Sequence, residues 1–141
     1  MDLPPAIAPS DRVREFLQGQ LYPTLATSGE DGTPHQAVIW YRLDPDDRIL
    51  VNSRGPRRWP TELVQSGRAS LAFTDHTDPM RWVGVQVVVE TVVDDVPTAQ
   101  EDIIALAVRY DEADDESVAS FRTQQRISFR LRIVAVHDHL E

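Results

Sequence analysis

Residues 21–43 read LYPTLATSGEDGTPHQAVIWYRL. Two extended segments flank the tight-turn signal Glu30-Asp31-Gly32. Leu21 to Thr27 reads as the first strand. In the return strand, about Gln36 to Leu43, Ala37, Ile39, Tyr41 and Leu43 alternate with Val38, Trp40 and Arg42. That two-residue period is the mark of a strand with one face in a core. A second turn, Asp44-Pro45-Asp46-Asp47, leads into a third strand, Arg48 to Asn52. Three strands in sequence with no helix between them predict an antiparallel meander, not a doubly wound sheet.

Working outward, Pro60 to about Ser66 reads as a short helix, with Pro60 at its first position, Glu62 near its positive end and Gly67 as its stop. Ala69 to Thr74 is a strand. Arg81 to Val93 is the longest, with Val83, Val85, Val87 and Val89 on one face. Gly84, Gln86, Val88 and Glu90 lie on the other. Thr98-Ala99-Gln100-Glu101 has the form of a capping box opening a helix through Ile103, Leu106, Ala107 and Tyr110. Asp111 to Ser117 reads as a solvated acidic loop or ragged helix. Arg126 to Val136 is the last strand. Ile127, Phe129, Leu131 and Ile133 are expected inward, and Arg126, Ser128, Arg130 and Arg132 outward. Before the opening stretch, Ser10 caps a short helix burying Val13, Phe16 and Leu17, and Gly19 ends it. Residues 1–9, with three prolines, read as a loose lead-in. Leu140-Glu141 read as a remnant ahead of a lost tag.

The expected fold is mainly β. It is one domain over residues 1–141, a six-stranded antiparallel barrel with short peripheral helices. Uncovered strand edges point to a dimer.

Composition narrows the function. The 141 residues carry a net charge of −9, which argues against a nucleic-acid footprint. There is no cysteine, so disulfides, thiol catalysis and thiolate zinc sites are excluded. All fourteen basic residues are arginine, so lysine chemistry is excluded too. No apolar run is long enough for a membrane span. Met1-Asp2-Leu3-Pro4-Pro5 lacks the features of a signal peptide, so a cytoplasmic protein is expected.

The densest chemical signal is Ser53-Arg54-Gly55-Pro56-Arg57-Arg58-Trp59-Pro60, between a strand end and a helix start. Guanidinium groups, backbone N–H groups and a helix N-terminus meet there, and phosphate is the natural guest. A solvated charged turn is the plainer alternative. Trp59 suits either a core pocket or a flat ligand, and core packing is the commoner use. His137 and His139 would share a strand face as some metal pairs do, but no third ligand is in view and an exposed tail is the plainer reading. No metal site is expected. His35 either caps its turn or donates a proton to a ligand. No nucleophile constellation stands out. The residues suit a scaffold gripping an anionic cofactor that carries the chemistry itself.

In order and spacing, several segments resemble the pyridoxamine 5′-phosphate oxidase-like split-barrel superfamily. They are Leu25-Ala26-Thr27, Asp31-Gly32-Thr33-Pro34-His35, Val38-Ile39-Trp40-Tyr41, Ile49-Leu50-Val51-Asn52-Ser53, the arginine loop, Gly67-Arg68-Ala69-Ser70-Leu71 and Asp78-Pro79-Met80-Arg81-Trp82-Val83. Within it the chain looks most like the flavin/deazaflavin-dependent oxidoreductases of actinobacteria. The resemblance implies a six-stranded split barrel, a homodimer with cofactor sites at its interface and a small-molecule substrate. It implies coenzyme F-420, with FMN as the alternative. Cofactor phosphate would rest on Ser53, Arg54, Arg57 and Arg58, with Asn52 and Trp59 also in the cofactor site. The ring would lie along Gln36, Ala37, Val38 and Ile39, and the partner's surface near positions 81–82 would complete the pocket. The implied reaction is hydride transfer from reduced F-420 to an electron-poor small organic molecule. Trp40, Trp59 or Trp82 would pack on ring or substrate, and water, His35 or Tyr41 would deliver the proton. A non-catalytic cofactor-binding or storage dimer is a further reading. Three departures stand out: Trp59 where many relatives have lysine, Gln86-Val87 in place of Arg-Gly, and Ala37-Val38 in place of a more polar pair.

Overall fold

The structure, a computed structural model, describes residues 2–141. In chain order the elements are α1 (Asp11–Leu17), β1 (Thr24–Ser28), β2 (Pro34–Val38), β3 (Arg42–Leu43), β4 (Arg48–Arg54), α2 (Arg58–Ser66), β5 (Arg68–Thr74), β6 (Trp82–Val93), α3 (Val96–Arg109), α4 (Asp115–Phe121) and β7 (Arg126–His139). One antiparallel sheet runs β2-β1-β5-β6-β7-β4-β3.

There are seven strands rather than the six expected, because the stretch from Gln36 to Leu43 breaks in two. Its halves, β2 and β3, lie at opposite edges of the sheet. Laid flat, seven strands span about 29 Å at ~4.8 Å per gap. The chain from Val38 to Arg42 reaches only about 14 Å at full extension. The sheet therefore curls until its two edges approach, which makes a barrel split between β2 and β3. The side-chain alternation runs unbroken through the split, with Ile39 and Tyr41 both in the core.

Groups far along the chain satisfy the backbone freed at the split. The Ile39 N–H donates to the Pro23 carbonyl (3.1 Å). The Tyr110 hydroxyl accepts from the Tyr41 N–H (3.4 Å) and donates to the Leu21 carbonyl. Arg109 donates to the carbonyls of Tyr41 (2.8 Å) and Gly19 (2.6 Å). Trp40 stacks on Tyr110 with centroids 5.2 Å apart. The end of α3 thus clamps the crossover.

Inside the barrel, Leu25, Val51, Phe73, Val83, Val85, Val87, Phe129 and Leu131 pack with Leu17 and Leu63 from the helices. The other face of β4 and β7 is also covered. Leu50 packs under Ile103 and Leu106 of α3. The Asn52 amide donates to the Ala99 carbonyl (2.9 Å) and the Ser128 hydroxyl (2.7 Å). Arg126 and Ser128, expected outward in solvent, are therefore buried.

Other expectations also shift. Trp59 lies inside α2 and Pro60 takes its third position, where the missing N–H would have had no helical partner. Asp95, not Thr98, caps α3 by accepting from the Thr98 N–H (3.2 Å), and Pro97 stiffens the first turn. The acidic run is divided. Asp111 turns the chain with φ of 62°, and Asp114 caps α4. The lead-in expected to be loose is tied to β7: the Ile7 N–H donates to the Ile133 carbonyl (2.9 Å) and Arg132 donates to the Pro4 carbonyl (2.9 Å). Leu140, expected as a tag remnant, belongs to the core. Among the described residues no helix is long and apolar enough to cross a membrane.

Candidate functional site

The arginine loop leaves β4 at Arg54 and enters α2 at Arg58. It is pinned to the segment before β7, where the Gly55 N–H donates to the Gln125 carbonyl (3.0 Å). Arg57 is the N-cap of α2 and gives no side-chain cap, so the first N–H groups of that nine-residue helix stay open. Nine of the fourteen arginines meet a carboxylate within 4.0 Å. Arg54 and Arg57 do not, among the described residues, and both are exposed. Arg58 does: its Nε lies 3.3 Å from Glu62 Oε2, one helical turn on.

Glu62 is itself buried, and its other oxygen accepts from the Thr27 hydroxyl (2.8 Å). A Cβ at Gly29 would sit 2.7 Å from Glu62 Oε2, so a side chain there would push the carboxylate aside. His35 turns inward. Its Nε2 is buried 3.6 Å from Glu62 Oε2 and makes no hydrogen bond. A cavity of about 550 Å³ is lined by Pro56, Arg57, Arg58 and Glu62 of the loop and α2 and by Glu30 and Asp31 of the β1–β2 turn. At Gly29 it adjoins a groove of about 710 Å³ that crosses the outer sheet face past Ala26, Ser70, Gln86 and Val88.

Arg126, expected to face outward on the last strand, lies at the root of this loop. It is paired in register with Arg54 across β4 and β7, and only 8% of it is exposed. It donates to Gln124 (2.9 Å) and to Asn52 (3.3 Å) and lies over the Phe121 ring, but it has no carboxylate. Burial, then the charges of Arg54 and Arg57, push its guanidinium down to about 10.

The pyridoxamine 5′-phosphate oxidase family pattern matches residues 9–139. This chain belongs to that family. The solved structures of similar fold include an F420 reductase with a TM-score of 0.79 and 24% identity, covering 92% of this chain and 98% of that one. A conserved hypothetical protein from Mycobacterium tuberculosis has a TM-score of 0.72 at 22% identity, over 95% and 87% of the two chains. HutZ, the heme storage protein from Vibrio cholerae, has a TM-score of 0.69 at 18% identity, over 90% and 92%. No curated protein matches the sequence.

On this oxidase-family barrel the expected site residues divide. Arg54, Arg57 and Arg58 come together in the loop, with Ser53 buried at its root. Asn52 is held under α3 and faces Arg126. Trp59 packs in the core against Phe129 at 6.0 Å. On β2, Gln36 and Val38 face outward, Val38 being 69% exposed, while Ala37 packs on the core. Ile39 lies in the core. Tyr41 is fully buried, and its hydroxyl donates to the Leu17 carbonyl (2.6 Å), so it cannot hand a proton to a ligand in this arrangement. Burial pushes its phenol far above the ordinary range. Gln86 and Val87 both line the groove, and the Val87 side chain is buried in the core. Trp82 lies against Gly84 and stacks on His139 at 4.2 Å. His137 and His139 are exposed, and no metal-ligand cluster occurs among the described residues.

Proposed function

We propose that this protein is an oxidoreductase that uses reduced coenzyme F-420 to reduce an electron-poor small organic substrate. The observation that carries this reading is a pair of arginines without carboxylates, Arg54 and Arg57, at an uncapped helix N-terminus. The cavity that Arg57 borders adjoins, at Gly29, a groove of about 710 Å³ on the outer sheet face. The residues present fit an elongated anionic cofactor. Arg54, Arg57 and the open N–H groups of α2 would hold its phosphate. Gln36, Val38 and Gln86 would face its ring from the sheet. When bound, the deazaflavin supplies hydride, and the chain supplies orientation and charge. With Tyr41 sealed in the core and His35 Nε2 turned toward Glu62, water is the proton source that remains. The exposed outer face around Val38 supports a homodimer that completes the pocket.

A second reading, a non-catalytic cofactor-binding dimer, draws on the groove itself, where no acidic side chain lines it among the described residues. Fluorescence titration with F-420 and FMN, followed by single-turnover oxidation of the reduced complex, separates the readings. Tight F-420 binding with hydride loss to activated alkenes supports the enzyme. Tight binding without turnover supports storage. A protein that purifies yellow with FMN moves the assignment to the flavin. Binding of neither cofactor overturns all three.

A further inference from the structure

We infer that the groove on the outer sheet face takes a small electron-poor alkene bearing a carboxylate, and that Arg68, the first residue of β5, binds that carboxylate. This deepens the reductase reading above and rests on it for the reaction, but not for the carboxylate site itself.

Arg68 is the one charged side chain that lines the groove among the described residues. It is also the one arginine that nothing else accounts for. Five of the fourteen arginines meet no carboxylate within 4.0 Å among the described residues: Arg54, Arg57, Arg68, Arg109 and Arg126. Arg109 donates to the carbonyls of Tyr41 and Gly19. Arg126 donates to Gln124 and Asn52. Arg54 and Arg57 belong to the loop after β4. Arg68 lies elsewhere, beyond the far end of α2, and is exposed.

Local structure fixes where this cation stands. Gly67 ends α2 with φ of 71° and turns the chain into β5. The Ser66 hydroxyl then clips the backbone of Arg68, accepting from its N–H (3.3 Å) and donating to its carbonyl (3.0 Å). Strand pairing sets Arg68 beside Val88 and, two residues on, Ser70 beside Gln86 and Ala26. All five line the groove and share the outer face. Past Ser70 the face continues as a cavity of about 290 Å³ over Thr24, Ala72 and Gly84. Four residues of strand separate Arg68 from Ala72, about 14 Å at ~3.4 Å per residue. A small molecule can therefore rest its body on small neutral residues while its charged end reaches Arg68.

Charge chemistry selects the ligand class. In a chain of net charge −9, no Asp or Glu lines this groove among the described residues. A planar guanidinium matches a carboxylate through two parallel hydrogen bonds. The C-terminal end of α2 lies beside it, and the negative end of a helix favours a cation there and opposes a dianion such as phosphate. The alkene gains a hydride from the reduced coenzyme, itself oxidised by two electrons, at one carbon and a proton from water at the other.

The probes are maleimidoacetate, an electron-poor alkene with one carboxylate, and its uncharged methyl ester. The chain has no cysteine or lysine side chain to consume them. Arginine Nε–Hε resonances of the full-length protein are followed by NMR through a titration with each. The Arg68 signal, identified by its loss in Arg68→Gln, should move on a saturating curve with the acid and stay still with the ester. No saturable movement of Arg68, or equal movement with both probes, overturns the inference. In turnover with reduced F-420, kcat/KM should favour the acid by about tenfold, through KM, and Arg68→Gln should bring that ratio to about one. Circular dichroism and thermal melting check that the variant folds. An unchanged ratio in the folded variant overturns the inference. So does a matching loss of F-420 affinity, which would make Arg68 a cofactor residue. A saturable Arg68 shift with turnover of neither probe leaves the site and removes the reductase reading. Turnover of both probes at equal kcat/KM, with Arg68 still, leaves the reading and removes the site.

Discussion

Two groups of arginines in this chain do opposite work. On the barrel exterior, Arg48 of β4 and Arg132 of β7 grip the two oxygens of Glu90 on β6, at 2.7 Å and 2.9 Å. Arg130 reaches Asp44 and Asp46, and Arg14 holds Asp47 through both of its oxygens. These cations tie strands, turns and α1 together. Around the loop at the end of β4, Arg54 and Arg57 and the cross-strand partner Arg126 meet no carboxylate within 4.0 Å among the described residues. Both groups are arginine, so residue type cannot tell them apart. What separates them is where the acid lies. Cations left uncompensated in an acidic protein cost stability and suit a site waiting for an anion.

The comparison breaks most easily at the loop. Replacing Arg54 and Arg57 together with alanine should raise the cofactor dissociation constant by about 100-fold or more, two charge-assisted hydrogen bonds being lost. The melting temperature should stay unchanged or rise slightly, because Arg126 loses two like charges. Fluorescence titration and a thermal melt measure both. Unchanged affinity would mean that the loop is only a solvated turn.

The strand network should give the mirror image. Glu90→Gln leaves Arg48 and Arg132 half-buried without their shared carboxylate. It should cost about 2 kcal/mol in urea unfolding at neutral pH and leave cofactor affinity as it was. The same residue sharpens the contrast with pH. The Arg48 hydrogen bond, with help from Arg132, holds the Glu90 carboxyl at about 2, against an ordinary 4.5. A carboxyl depressed in the folded state stabilises it above the ordinary value and loses that contribution as pH falls. Melting temperature should therefore drop between about pH 4.5 and pH 2 in the wild type. Other carboxylates paired with arginine, such as Asp47, add to that drop, so the test is a visibly shallower fall in Glu90→Gln. Parallel curves would show that Glu90 is not the group responsible.

Much of the barrel is legible in the sequence, because alternation is local. Val83, Val85 and Val87 face the core as their spacing requires. The split was hidden because the alternation from Ala37 to Leu43 continues straight through it. What interrupts the ladder is the Arg109–Tyr110 clamp, about 70 residues away in sequence. The loop was equally legible as a cluster, but its internal division was only half so. Arg58 and Glu62 are four apart on a helix, a pairing that local spacing could have revealed. Arg126 could not be found that way. Its place depends on the β4–β7 register, and its burial depends on α3 and α4 lying over that face.

The smallest expected effect lies where the two groups of arginines meet. Arg58 belongs to the loop by sequence and to the ion-paired set by structure. Glu62→Gln keeps an oxygen to accept from Thr27 but removes the charge that holds Arg58. If Arg58 plays no part in binding, cofactor affinity should change by less than about threefold, in the direction of tighter binding, since one nearby negative charge is gone. That shift should shrink as salt is added, because only a screened, indirect interaction remains. A gain of tenfold or more would mean that the freed Arg58 had swung onto the anion, and Glu62 would then be a competitor for Arg58 that sets how tightly the cofactor is held. Stability reads the same variant from the other side. The Thr27–Glu62 contact joins the β1–β2 hairpin to α2, so a large drop in melting temperature with little change in affinity would place Glu62 wholly with the structural carboxylates.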